Sequence, residues 1–162
     1  MNKLNVLIRP SLVLGAILGA VFGVLLLIPF TLTLCIVFYT ITLIGGGVVF
    51  YLKRNAFVGI LTPQDGALIG AVSGFSSAIA GAIVYLPIEY IISLFSPLSK
   101  HINTLNSVLT TGDTLFVWPM IIFVMALMSA LCNAFSGLIV AYIYEKIENN
   151  PIKDEGGIDI EQ

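Results

Sequence analysis

The sequence predicts an all-α integral membrane protein: four transmembrane helices arranged as two hairpins, with a short external amphipathic helix between the third and the fourth. Three observations carry that expectation. Long stretches hold no charge, small residues return every fourth position in two of them, and cations or helix caps stand at their ends. Of 162 residues, 58% are hydrophobic and 10% charged, against about a quarter charged in soluble domains. Lipid must therefore solvate most of the chain. No basic patch exists to hold nucleic acid, so the bilayer is the expected partner.

The first uncharged stretch, Ser11 to Leu52, follows Lys3 and Arg9 and is 42 residues long. A hydrocarbon core of about 30 Å needs about 20 helical residues, so Pro29 divides the stretch into two spans joined by a tight turn. A cleaved signal peptide is not expected, because no A-x-A site follows the apolar run and a second span begins at once. Within the first span, Gly15, Gly19 and Gly23 recur at every fourth residue. The second span closes on Tyr51, Lys53 and Arg54, an interfacial aromatic followed by cations. Its Gly45, Gly46 and Gly47 are costly in a helix, at about 1 kcal/mol each relative to Ala. They mark close packing or a flexible point.

Thr62, Pro63 and Asp65 form a helix start: an N-cap, a first-turn proline and an acid at the positive end of the helix dipole. The third span begins there and carries Gly66, Gly70, Gly74, Ala78 and Ala82. Such a small-residue stripe lets two backbones approach closely, and the first and third spans are expected to cross on their stripes. Glu89 stands 26 residues after Pro63, about 39 Å along the axis. It is expected at the far interface, with Pro87 marking a kink or the helix end.

Between the third and fourth spans, Pro97 to Thr110 has helical apolar spacing with polar residues elsewhere, which predicts a helix lying on the membrane surface. The fourth span opens at Trp118 and Pro119 and gathers Ala126, Ser129, Ala130, Asn133, Gly137 and Ala141 on one broad face. Asn133 is the most polar side chain near a span centre and is expected to face a helix rather than lipid. Cys35 and Cys132 are expected to be small buried hydrophobes. The transmembrane domain is assigned to residues 1–147 and a disordered acidic cytoplasmic tail to 148–162.

Lys and Arg number six on the side that holds both termini and the Lys53 loop, and one on the other. The positive-inside rule then places both termini in the cytoplasm of a multi-pass cell-membrane protein. Sliding the chain by 51 residues lays Gly15, Gly19 and Gly23 on Gly66, Gly70 and Gly74, with six identities in nine positions. That fits either a duplicated hairpin in parallel orientation or convergent packing of small residues.

Catalysis needs a nucleophile with its base, paired acids or metal ligands at one depth. The spans offer Ser73, Ser77, Ser129 and Asn133 without Asp, Lys or His beside them. Glu89, Lys100 and His101 form the one interfacial constellation, and it is too sparse for an enzyme. Neither metal nor cofactor is implied, with one His and two Cys in the chain. The expected function is that of a non-catalytic accessory or assembly component, which associates with itself or with another membrane subunit through its glycine-striped helices. The alternative is a homo-oligomeric channel or small-solute transporter component, with the serines and Asn133 lining a polar path.

Overall fold

The computed structural model describes residues 3–27, 31–95 and 114–149. They form four helices: α1 (Lys3–Leu25), α2 (Thr31–Arg54), α3 (Pro63–Phe95) and α4 (Thr114–Asn149). Three contain segments long and apolar enough to cross a membrane: Asn5–Leu25, Pro63–Ile88 and Pro119–Glu148. In α2 the described side chains begin at Thr42, a shorter stretch. The surface segment 97–110 and the tail beyond 149 lie outside the described residues, as does the turn at Pro29.

Three helices run further than the sequence suggests. α1 starts at Lys3 and passes through Pro10, α3 continues beyond Pro87 to Phe95, and α4 begins at Thr114, ahead of Pro119. The physical reason is the same in each case. A proline deletes one backbone donor, whereas ending the helix within an apolar run would leave several backbone groups without partners. Pro87 is thus not the end of its helix. The 33 residues of α3 amount to about 50 Å, more than the hydrocarbon core requires.

α3 is the central helix, packed most extensively on α4 and α1 and also touching α2; α2 packs on α4 as well, and α1 and α2 meet only slightly. The buried aliphatic core lies at one end of the bundle. There Leu7 of α1 joins Val48, Val49 and Leu52 of α2, Ile69 of α3 and Ala141 of α4. Val58 and Leu61 tuck in from the α2–α3 connection. The start of α1, the end of α2, the start of α3 and the end of α4 therefore share that end.

The α2–α3 connection is closed by local hydrogen bonds. Ala56 N–H donates to the Lys53 carbonyl and Phe57 N–H to the Leu52 carbonyl, both at 3.1 Å, the two bonds of a Schellman helix stop. Ala56 occupies the left-handed position of that motif at φ 54°, where glycine is the usual residue. At the start of α3, Thr62 and Asp65 cap each other as their spacing predicts. Asp65 N–H donates to Thr62 Oγ1 at 3.3 Å, and the Thr62 hydroxyl and amide donate to Asp65 Oδ2 at 2.8 and 3.1 Å. Lys53 fastens the connection to the rest of the bundle, donating to the Gly59 carbonyl at 2.9 Å and pairing with Glu148 of α4.

Candidate helix-packing site

The small residues of α3 lie in two rows with different partners. Gly66, Gly70 and Gly74 face α4. A methyl group on Gly66 would overlap Ala141 and the Gly137 carbonyl, one on Gly70 would overlap the Asn133 carbonyl, and one on Gly74 would lie 2.7 Å from the Ser129 oxygen. Ser73, Ser77 and Gly81 form the second row and face α1, where Gly15 meets Ser73, Gly19 meets Ser77 and Gly23 meets Gly81. The expectation that the two glycine stripes cross each other is therefore corrected: α1 packs on the serine row, and the α3 stripe belongs to α4. Residues three apart differ by about 60° around a helix, so one small-residue surface splits between two neighbours. The signal that locates the second row is present in the sequence as Ser73, Ser77 and Gly81, again every fourth residue.

The matching glycines of the two candidate repeats thus occupy unlike environments. In a duplicated hairpin, Gly15, Gly19 and Gly23 would pack on α2 as Gly66, Gly70 and Gly74 pack on α4. They pack on α3 instead.

Three helices converge where Gly45, Gly70 and Asn133 meet. A methyl group on Gly45 would lie 2.9 Å from the Gly70 Cα and overlap the Asn133 carbonyl. Asn133 is fully buried and spends its side chain on bonds to neighbours. Its Oδ1 accepts from Gly45 N–H at 2.7 Å, and its Nδ2 donates to the Ser129 carbonyl at 2.9 Å. Ser136 Oγ accepts from Gly46 N–H at 2.9 Å, and Ser129 Oγ donates to the Gly74 carbonyl at 3.0 Å. An amide inside a helix is reachable from a neighbouring helix only where no side chain shields it. Glycine at 45 and 46 supplies that opening.

The three glycines of α2 do not interrupt the helix, which is continuous from Thr31 to Arg54. Gly45 and Gly46 are buried against α4, while Gly47 faces outward with nothing within 4 Å of an added methyl group. The reading as a flexible point gives way to close packing at two of the three positions. Ser73 Oγ donates to the Gly70 carbonyl and Ser76 Oγ to the Ser73 carbonyl, each at 3.1 Å. These are back-bonds within α3 that hide a hydroxyl inside an apolar interface. No buried side-chain polar atom among the described residues lacks a partner.

Ala78 continues the α3 stripe by one turn and is only partly buried. Cys132 is an exposed free thiol, contrary to the buried position expected from sequence. Consecutive helix residues stand about 100° apart, and Asn133 takes the inward place. The Glu89 side chain, Lys100 and His101 lie outside the described residues, so the interfacial constellation is not described either. Among the described residues, no three His, Cys, Asp or Glu side chains gather as metal ligands would.

Fold and site together define a tightly packed all-helical protein with three helices long and apolar enough for a membrane. No protein-family model, curated protein or solved structure matches the chain.

Proposed function

We propose that this chain is a four-span integral membrane protein with both termini in the cytoplasm, and that it serves as a non-catalytic accessory or assembly component of a larger membrane complex. Support for the orientation comes from the end of the bundle that holds the aliphatic core. Arg9, Lys53, Arg54 and Lys146 all belong to helix segments at that end, as the positive-inside rule requires of a cytoplasmic face.

The accessory role rests on the outward face of α4. Met120, Met125 and Met128 are exposed there, in a helix whose inward face is already committed to α2 and α3. Methionine side chains are flexible and polarizable, and they suit a surface that must fit another apolar surface. By contrast, the serines and Asn133 that a polar path would need are bonded between or within helices. The channel alternative is therefore the less supported of the two.

Photo-cross-linking from position 125 in native membranes tests this proposal. A discrete adduct with one other membrane protein is the expected result. Adducts only between copies of this chain would favour the homo-oligomeric alternative, and adducts with lipid alone would overturn the accessory role.

A further inference from the structure

Between α2 and α4, on the side turned away from α3, lies an open groove of about 450 Å³. Its α2 wall is Leu43, Gly46, Gly47 and Phe50, and Ile139 and Val140 form the α4 wall beside Ser136. The groove exists because Gly47 has no side chain to fill it. Its lining is almost wholly apolar, and its size falls within the range of small-ligand sites.

Charge is distributed unevenly around it. Arg54 follows Gly47 by seven residues and Lys146 follows Ile139 by seven, so two turns bring each cation back to within about 20° of its groove residue. α2 and α4 run in the same direction, since Gly45 meets Asn133 and Lys53 meets Glu148 further along. Both cations therefore stand beyond the same end of the groove, Arg54 about 10 Å along its helix from Gly47 and Lys146 about 10 Å along its own from Ile139. Both are exposed. Of the nearby acids, Glu148 is paired with Lys53, and Glu145, nine residues after Ser136, points about half a turn away from the groove.

We propose that this groove binds one anionic phospholipid, with an acyl chain lying along Gly46 and Gly47 and the phosphate held between Arg54 and Lys146. An apolar channel between two membrane helices that ends at two cations on the cytoplasmic side matches such a lipid in both polarity and sign. A zwitterionic lipid offers the same chains but no net charge. The groove therefore selects by headgroup and holds by chain. The proposal rests on membrane insertion in the stated orientation.

The test is native mass spectrometry of the full chain released from phosphatidylcholine nanodiscs doped with phosphatidylglycerol. Retained lipid should be enriched about tenfold in phosphatidylglycerol over the disc. The double variant Arg54→Gln/Lys146→Gln should return the ratio to that of the disc, and Arg9→Gln should leave the enrichment intact. Gly47→Leu, which meets open space, should lose retained lipid of both kinds. Retention in proportion to disc composition, or enrichment indifferent to the double variant or to Gly47→Leu, would overturn the lipid site while leaving the membrane reading in place. Failure of the chain to enter discs at all would overturn both.

Discussion

The carboxamide oxygen of Asn133 accepts the backbone N–H of Gly45 at 2.7 Å, joining α4 to α2 at a point where α3 contributes only the bare backbone of Gly70. A polar side chain near the middle of an apolar helix is thereby turned into a three-helix junction.

Asn133→Ala should destabilise the folded protein by about 2 kcal/mol, since it removes interhelical and local bonds and each is worth about 0.6 to 2 kcal/mol in a membrane interior. Reversible unfolding in bicelles measures this. An unchanged unfolding free energy would mean that the junction contributes no net stability.

Gly47→Ala should have the opposite sign. An added methyl group there meets nothing within 4 Å, and alanine favours a helix by up to about 1 kcal/mol over glycine. The same unfolding assay should show a gain. A loss would show that the added methyl group meets a neighbouring helix at that position.

Ala56→Gly should also stabilise, by about 0.5 to 1 kcal/mol. The residue sits at φ 54°, a left-handed conformation that costs a side chain about 1 to 2 kcal/mol. Part of the gain is offset by the larger entropy that glycine gives the unfolded chain. Amide exchange at Phe57 should slow in the variant, and faster exchange there would contradict the Schellman stop.

Lys53→Met should loosen the α2–α3 connection while leaving the bundle folded. Lys53 is 13% exposed and its partner Glu148 44%, so the ion pair itself is worth at most about 1 kcal/mol. Its bond to the Gly59 carbonyl holds the loop locally. Hydrogen exchange over residues 57–61 should rise severalfold, with the helix interiors unchanged.

Much of this architecture is legible in the sequence because long apolar helices declare themselves through length and lack of charge, and because caps act locally. Thr62 and Asp65 need only three residues of spacing to specify the start of α3. Close approach is legible too, as glycine at every fourth position. Which neighbour approaches is not: the Gly70 and Ser73 rows have the same periodicity, and only the three-dimensional arrangement assigns one to α4 and the other to α1. The prolines mislead for a related reason. Ending a helix at Pro87 or starting one at Pro119 would free several backbone groups at once, whereas a proline inside the helix removes one donor.

The most direct test of the central claim, that the α3 glycine stripe is consumed within one chain, is the unfolding free energy of Gly70→Ala measured at a high and a low protein-to-lipid ratio. Overpacking of this kind should cost about 1 to 3 kcal/mol, and the loss should be the same at both ratios because an intrachain contact does not dilute. A loss that grows with protein density and vanishes on dilution would place the stripe between copies instead.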